Sequence, residues 1–137
     1  MIPSTPVPSF TPTVGLQDGS VLQKFSDQLY GSEYGLTAQA DGSKANATRI
    51  NACNSVVTTV AGAADSVLLP PGYVGLEIFL VNAGVNSMQV FGSGSDTING
   101  VATGTGVAHG NGLSGIYRCL NRNPTTGVAE WFRVLSA

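Results

Sequence analysis

The chain has 137 residues, one domain's worth, with 14 charged residues and a net charge of −2. Charged residues make up 10 % of it, against a usual share of about 25 %, so uncharged polar residues and glycine must form most of the surface. That balance excludes a general nucleic-acid binder, which needs a basic face, and a polybasic membrane-surface protein; no apolar run approaches the roughly 18 residues of a membrane span.

Residues 1–14 open with Pro3, Pro6, Pro8 and Pro12. Proline lacks the N–H and fixes φ, so neither a helix nor a central strand forms there. The segment reads as an extended arm whose first twelve residues, at about 3.1 Å each, reach roughly 35 Å. A floppy tail is the plain reading. The functional one is a clasp on a neighbouring subunit or shell, with Ile2, Pro3, Pro6, Val7, Pro8, Phe10 and Pro12 as contact residues. The stretch lacks the charged and apolar regions of a secretory signal.

Residues 15–55 read as a segment of loops and short helices. Over about 20–30, Leu22, Phe25 and Leu29 share one helical face, Asp18 or Ser20 can cap it, and Gly31 ends it. A second short helix is expected over 45–53. Asn46 would be its N-cap, with Ala47, Ile50, Cys53 and Asn54 at helical spacing.

From residue 56 the period changes, and residues 56–137 read as an antiparallel β domain. Val56–Val60 is β-branched, and Ser66–Leu69 stops at Pro70-Pro71-Gly72. Residues 75–82 are apolar on nearly both faces, which predicts a central strand. Ala83–Asn86 reads as a hairpin turn, with 87–91 returning. Asn99-Gly100 is a strong tight-turn signal. A weak strand over 101–108, one over 115–120 and a last one over 128–135 complete about seven short strands. Their spacing predicts an antiparallel β-sandwich or barrel, jelly-roll-like, preceded by the arm and one or two short helices. No internal repeat is visible, so a solenoid is not expected.

Chemistry is thin. Gly110-Asn111-Gly112-Leu113-Ser114-Gly115 has the spacing of a dinucleotide fingerprint, but a loop precedes it and a strand follows, so a hairpin loop is the reading. His109, the one histidine, falls in a glycine-rich stretch and is expected to be exposed. Glu77 and Glu130 would form a carboxylate pair only if their strands paired, and a solvated face or an ion pair with Arg118 or Arg133 is the preferred reading. Asp41, Asp65 and Asp96 fall at turns, where a carboxylate accepts backbone N–H groups. Cys53 and Cys119 should remain thiols and act as small hydrophobes. No catalytic residue, metal ligand or cofactor is expected.

The runs Gly35-Leu36-Thr37-Ala38, Val57-Thr58-Thr59-Val60-Ala61, Ala63-Ala64-Asp65-Ser66-Val67, Val81-Asn82-Ala83-Gly84 and Asp96-Thr97-Ile98-Asn99-Gly100-Val101-Ala102 resemble small virion proteins of tailed bacteriophages, of the capsid decoration (cement) or head-fibre-base type. The resemblance covers about three quarters of the chain and excludes residues 1–34. It implies a non-enzymatic homotrimer that binds and stabilises the mature shell. The partner is then the phage major capsid protein, and the location is the capsid surface after synthesis in the host cytoplasm. The alternative is a tail, baseplate or fibre module that binds a receptor or glycan. Its binding edge would be the loops at 92–100, 104–115 and 121–127, with Tyr73, Tyr117 and Trp131 as sugar-stacking candidates.

Overall fold

The computed structural model describes residues 31–137. The arm with its contact candidates from Ile2 to Pro12, and the helix expected over 20–30, lie outside them. Ten strands follow in order: β1 (Ser32–Thr37), β2 (Thr48–Arg49), β3 (Asn54–Thr59), β4 (Ser66–Leu68), β5 (Glu77–Asn82), β6 (Met88–Phe91), β7 (Thr97–Ile98), β8 (Val107–His109), β9 (Ser114–Arg122) and β10 (Ala129–Leu135).

The strands form a six-stranded sheet, β1-β3-β5-β9-β10-β7, and a four-stranded sheet, β2-β4-β6-β8. From β1 to β9 the chain alternates between them. A strand therefore meets its sheet neighbour only after a detour through the other sheet, and returns in the same direction. This is why β1, β3 and β5 are parallel neighbours, as are β2, β4 and β6. Ser32 pairs with Asn54, Asn54 with Phe79, and Ser66 with Gln89, so each circuit takes roughly 20–25 residues, a solenoid-like period. Antiparallel pairing is confined to β5–β9, β9–β10 and β6–β8, and β7 lies parallel to β10.

The mainly β reading stands, while several finer expectations are corrected. The sheets are mixed and not antiparallel, so the jelly-roll pattern does not apply, and ten strands replace about seven. The expected helix over 45–53 is absent: Thr48–Arg49 is β2 and Asn54 begins β3. Burial on the sheets overrides its helical spacing, because Ile50 and Cys53 reach the shared core from the connection between β2 and β3. Ala83–Asn86 is no hairpin either, but the crossing from β5 in one sheet to β6 in the other. The near-regular winding of β1–β6 between the sheets has no counterpart in a sequence repeat.

Between the sheets lies one core, with Val57, Ile78, Leu80, Tyr117, Cys119 and Trp131 on one side and Val67, Met88, Val90 and Val107 on the other. β5 is central as expected, between β3 and β9, and its Ile78, Leu80 and Asn82 point inward. A second, small cluster of Ala47, Leu68 and Phe91 lies apart from that core. The 38–47 connection runs against the smaller sheet here: Gln39 bridges Ser66, and the Lys44 ammonium donates to the carbonyls of Gly94 and Thr103 and to the Thr103 hydroxyl. The smaller sheet's outward side is thus partly dressed by its own loops.

Candidate functional site

Alternation along a strand sends every second side chain to the outer face, and the register groups those of the six-stranded sheet into four rows. Tyr34, Val56, Val81 and Ser114 form the first. Asn54, Phe79, Ile116 and Val134 form the second. Glu77, Arg118 and Phe132 form the third, and Asn121, Glu130 and Thr97 the fourth. Leu120, the extra residue of the bulge opposite Glu130 and Trp131, is exposed between the third and fourth.

Apolar side chains prevail on this face, beside the polar Ser32, Asn54 and Ser114 of the first two rows, and Val56 and Val81 are half-buried. Tyr34 is 82 % exposed, Val134 73 % and Leu120 54 %, while Phe79, Ile116 and Phe132 are each about two fifths exposed. The third row carries the one ion pair among the described residues, Arg118 to Glu77 at 4.0 Å, with both side chains about half exposed. In the fourth row the Asn121 amide donates to Glu130 at 2.6 Å. Here the face passes into a groove of about 360 Å³ lined by Thr97, Asn121, Asn123, Thr126, Val128 and Glu130. The exposed apolar side chains thus reach from Tyr34 through Phe79 and Ile116 to Phe132 and Leu120, and the fourth row is polar.

Asp96 organises the polar end. It is buried, its two carboxylate oxygens accepting the N–H groups of Gly72 and Ala129, each at 2.9 Å. This joins the 70–76, 92–100 and 121–128 loops at one end of the sheets. Tyr73 is exposed there beneath the Arg122 guanidinium, 4.3 Å from the ring centre, while Arg122 also donates to the Gly72 carbonyl. Asp41 and Asp65 likewise accept backbone N–H groups, from Ser43 and Gly62, as expected of acids at turns. The hydrogen bonds from Asn46 and Ser43 hold the Asp41 carboxyl below its ordinary range.

The opposite end is built on a buried polar cluster. His109 is fully buried, not exposed as its glycine-rich surroundings implied. Its Nε2 faces the Leu113 carbonyl at 3.0 Å. That oxygen only accepts, so Nε2 carries the proton and Nδ1 accepts from the Tyr117 hydroxyl at 2.9 Å. Arg133 donates to the Ala108 carbonyl and reaches the Tyr117 hydroxyl at 3.5 Å. Burial lowers the His109 pKa, with the Arg133 charge acting the same way, and burial pushes the Tyr117 phenol up to about 12. Local sequence hid this site, because the side chain that encloses the histidine comes from β9.

The sequence candidates sort by burial. Tyr117 and Trp131 are fully buried in the core and offer no stacking surface, which leaves Tyr73. Of the three loops, 92–100 and 121–127 meet at the polar end, while Gly110–Leu113 lies at the other, where Gly112 N–H donates to the Asn82 carbonyl. The glycine spacing at 110–115 links β8 to β9 with no helix following. Glu77 and Glu130 do not pair, since β9 lies between their strands; Glu77 takes Arg118, one of the two arginines considered, while Glu130 accepts from the Asn121 amide. Cys53 and Cys119 are buried thiols whose pKa values burial raises.

Sequence reasoning passed over the apolar face. Its signal was present in β5, where Phe79 and Val81 alternate with Ile78 and Leu80, but that pattern was assigned to burial on both sides. Compared with known proteins, the chain matches no family model and no curated sequence.

Proposed function

We propose that this chain is a non-enzymatic structural protein of a tailed-bacteriophage virion, a trimeric decoration protein that binds the mature capsid shell and stabilises it. The carrying observation is the open apolar face of the six-stranded sheet, since a contiguous exposed apolar patch marks a protein–protein contact. The sequence runs that resemble virion proteins supply the setting, and the low charge suits a surface that meets other protein. Binding the mature lattice and not its free subunits lowers the lattice free energy by mass action. Several contacts per trimer add through effective concentration. The arm, with Ile2, Val7 and Phe10 among its prolines, is the clasp in this reading, and the major capsid protein is its partner.

Copy number per particle, measured by quantitative mass spectrometry of purified virions, tests this reading. A count comparable with that of the major capsid protein is expected. About a dozen copies would place the chain at a vertex or in the tail, and complete absence would overturn the virion reading. Deleting residues 2–12 should weaken binding to assembled shells while leaving the trimer folded; unchanged binding would remove the arm as clasp.

The groove beside Thr97, Asn121 and Glu130, with Tyr73 exposed at the same end, favours one second reading: a tail or fibre module that binds a glycan through amide, hydroxyl and carboxylate groups. A blank glycan array would dispose of it.

A further inference from the structure

We infer that copies of this chain join through the outer face of the six-stranded sheet, the sheets facing a common axis so that the exposed apolar residues of one copy, among them Tyr34, Phe79, Ile116 and Val134, pack on those of its neighbours. Three features bear on this: area and composition mark the face as a contact surface, and its charge favours a copy of itself over a different partner.

The first is area. Tyr34, Phe79, Ile116, Leu120, Phe132 and Val134 are 40–82 % exposed. Large side chains of roughly 200 Å² each at that exposure present on the order of 600 Å², close to the ~800 Å² that each partner contributes to a standard interface.

The second is charge. The one ion pair on the face sets Arg118 beside Glu77, with opposite signs in one row. A face of a single sign repels its own copy. This one can exchange partners, Arg118 of one copy meeting Glu77 of the next. The third is composition: Tyr, Phe, Leu, Ile and Val predominate over Ser32, Asn54, Ser114, Glu77 and Arg118, with no Lys, and the polar Asn121–Glu130–Thr97 row forms the rim.

The number of copies, three, rests on the virion reading above, whereas the surface does not. Sedimentation equilibrium of the full 137-residue chain separates the two. The variants are Val134→Lys and Tyr34→Lys on the face, with Val85→Lys, 79 % exposed in the β5–β6 crossing, as the control. All three positions are exposed, so circular dichroism of dilute protein should show an unchanged fold. The expected result is a trimer whose self-association weakens at least tenfold with either face variant and is unmoved by Val85→Lys. A dimer with the same response keeps the interface and overturns the three-fold reading. An oligomer indifferent to both face variants overturns the interface and leaves the trimer standing. A monomer at every concentration overturns the inference.

Discussion

Two residues carry opposite ends of the molecule, and each makes a distinct demand on solution conditions. Asp96 satisfies the buried N–H groups of Gly72 and Ala129. Hydrogen bonds to a charged group contribute about 1.5–3 kcal/mol each, and a buried donor left without a partner is costly. Asp96→Ala is therefore expected to destabilise by about 3 kcal/mol, with Asp96→Asn milder because one acceptor survives; urea denaturation measures both. His109 instead sets a pH dependence. Its folded pKa lies below the ordinary 6.5 because burial disfavours the imidazolium. Protonating Nδ1 would also turn it into a donor against the Tyr117 hydroxyl, which already faces the Arg133 guanidinium. Below pH 6.5 the unfolded chain binds the proton that the native state refuses, so stability is fully present above that pH and falls as pH drops toward the folded pKa. Thermal melts between pH 7.5 and 5 should show this decline, and His109→Gln should flatten it.

Among the elements, the connections hold most of the specificity. The Asn99-Gly100 turn matches the sequence expectation: both residues have positive φ, 52° and 74°, as a tight two-residue hairpin turn requires, and Val101 N–H closes on the Ile98 carbonyl. No atom crowds Gly100, so Gly100→Ala meets only the left-handed backbone and should cost about 1 kcal/mol. The β5–β6 crossing works differently. Asn82 is buried, its amide donates to the carbonyls of Asn86 and His109, and its carbonyl accepts from Gly84 N–H. A Cβ on Gly84 would come within 2.8 Å of the Val60 backbone nitrogen, so Gly84→Ala should cost about 2 kcal/mol by overpacking. The test is the order of the two melting temperatures: Gly84→Ala should lie below Gly100→Ala, and the reverse would contradict the packing described for the crossing.

For the whole molecule, the asymmetry between the two sheets is the functional statement. The smaller sheet packs the 38–47 connection against it, with Leu68 and Phe91 buried, while the larger one leaves its apolar rows open. In the proposed assembly through that face the driving force is apolar burial, which salt does not screen, while an exposed pair such as Arg118–Glu77 contributes about 0–1 kcal/mol. The self-association constant should thus change by less than about threefold between 50 and 500 mM sodium chloride, since screening acts on charges alone. A steep loss with salt would assign the contact to charges instead.

The local chemistry of this protein was written in its sequence: β-branched runs as strands, Asn-Gly as a tight turn, aspartates as acceptors for turn N–H groups, and 75–82 as a central strand. These depend on each residue's own backbone preference or on neighbours a few positions away. Residues 45–53 show the limit, because Ile50 and Cys53 suit a helix by spacing and the core by burial, and the core prevailed. The winding of β1–β6 was hidden for a related reason. Its repeat lies in the backbone path, where Ser32, Asn54 and Phe79 occupy equivalent places with no side-chain similarity. Only the tertiary structure decided which face of each two-sided apolar strand is covered. An alternating pattern fixes that Phe79 and Ile78 point opposite ways, but which of them meets a second sheet depends on strands brought from elsewhere in the chain.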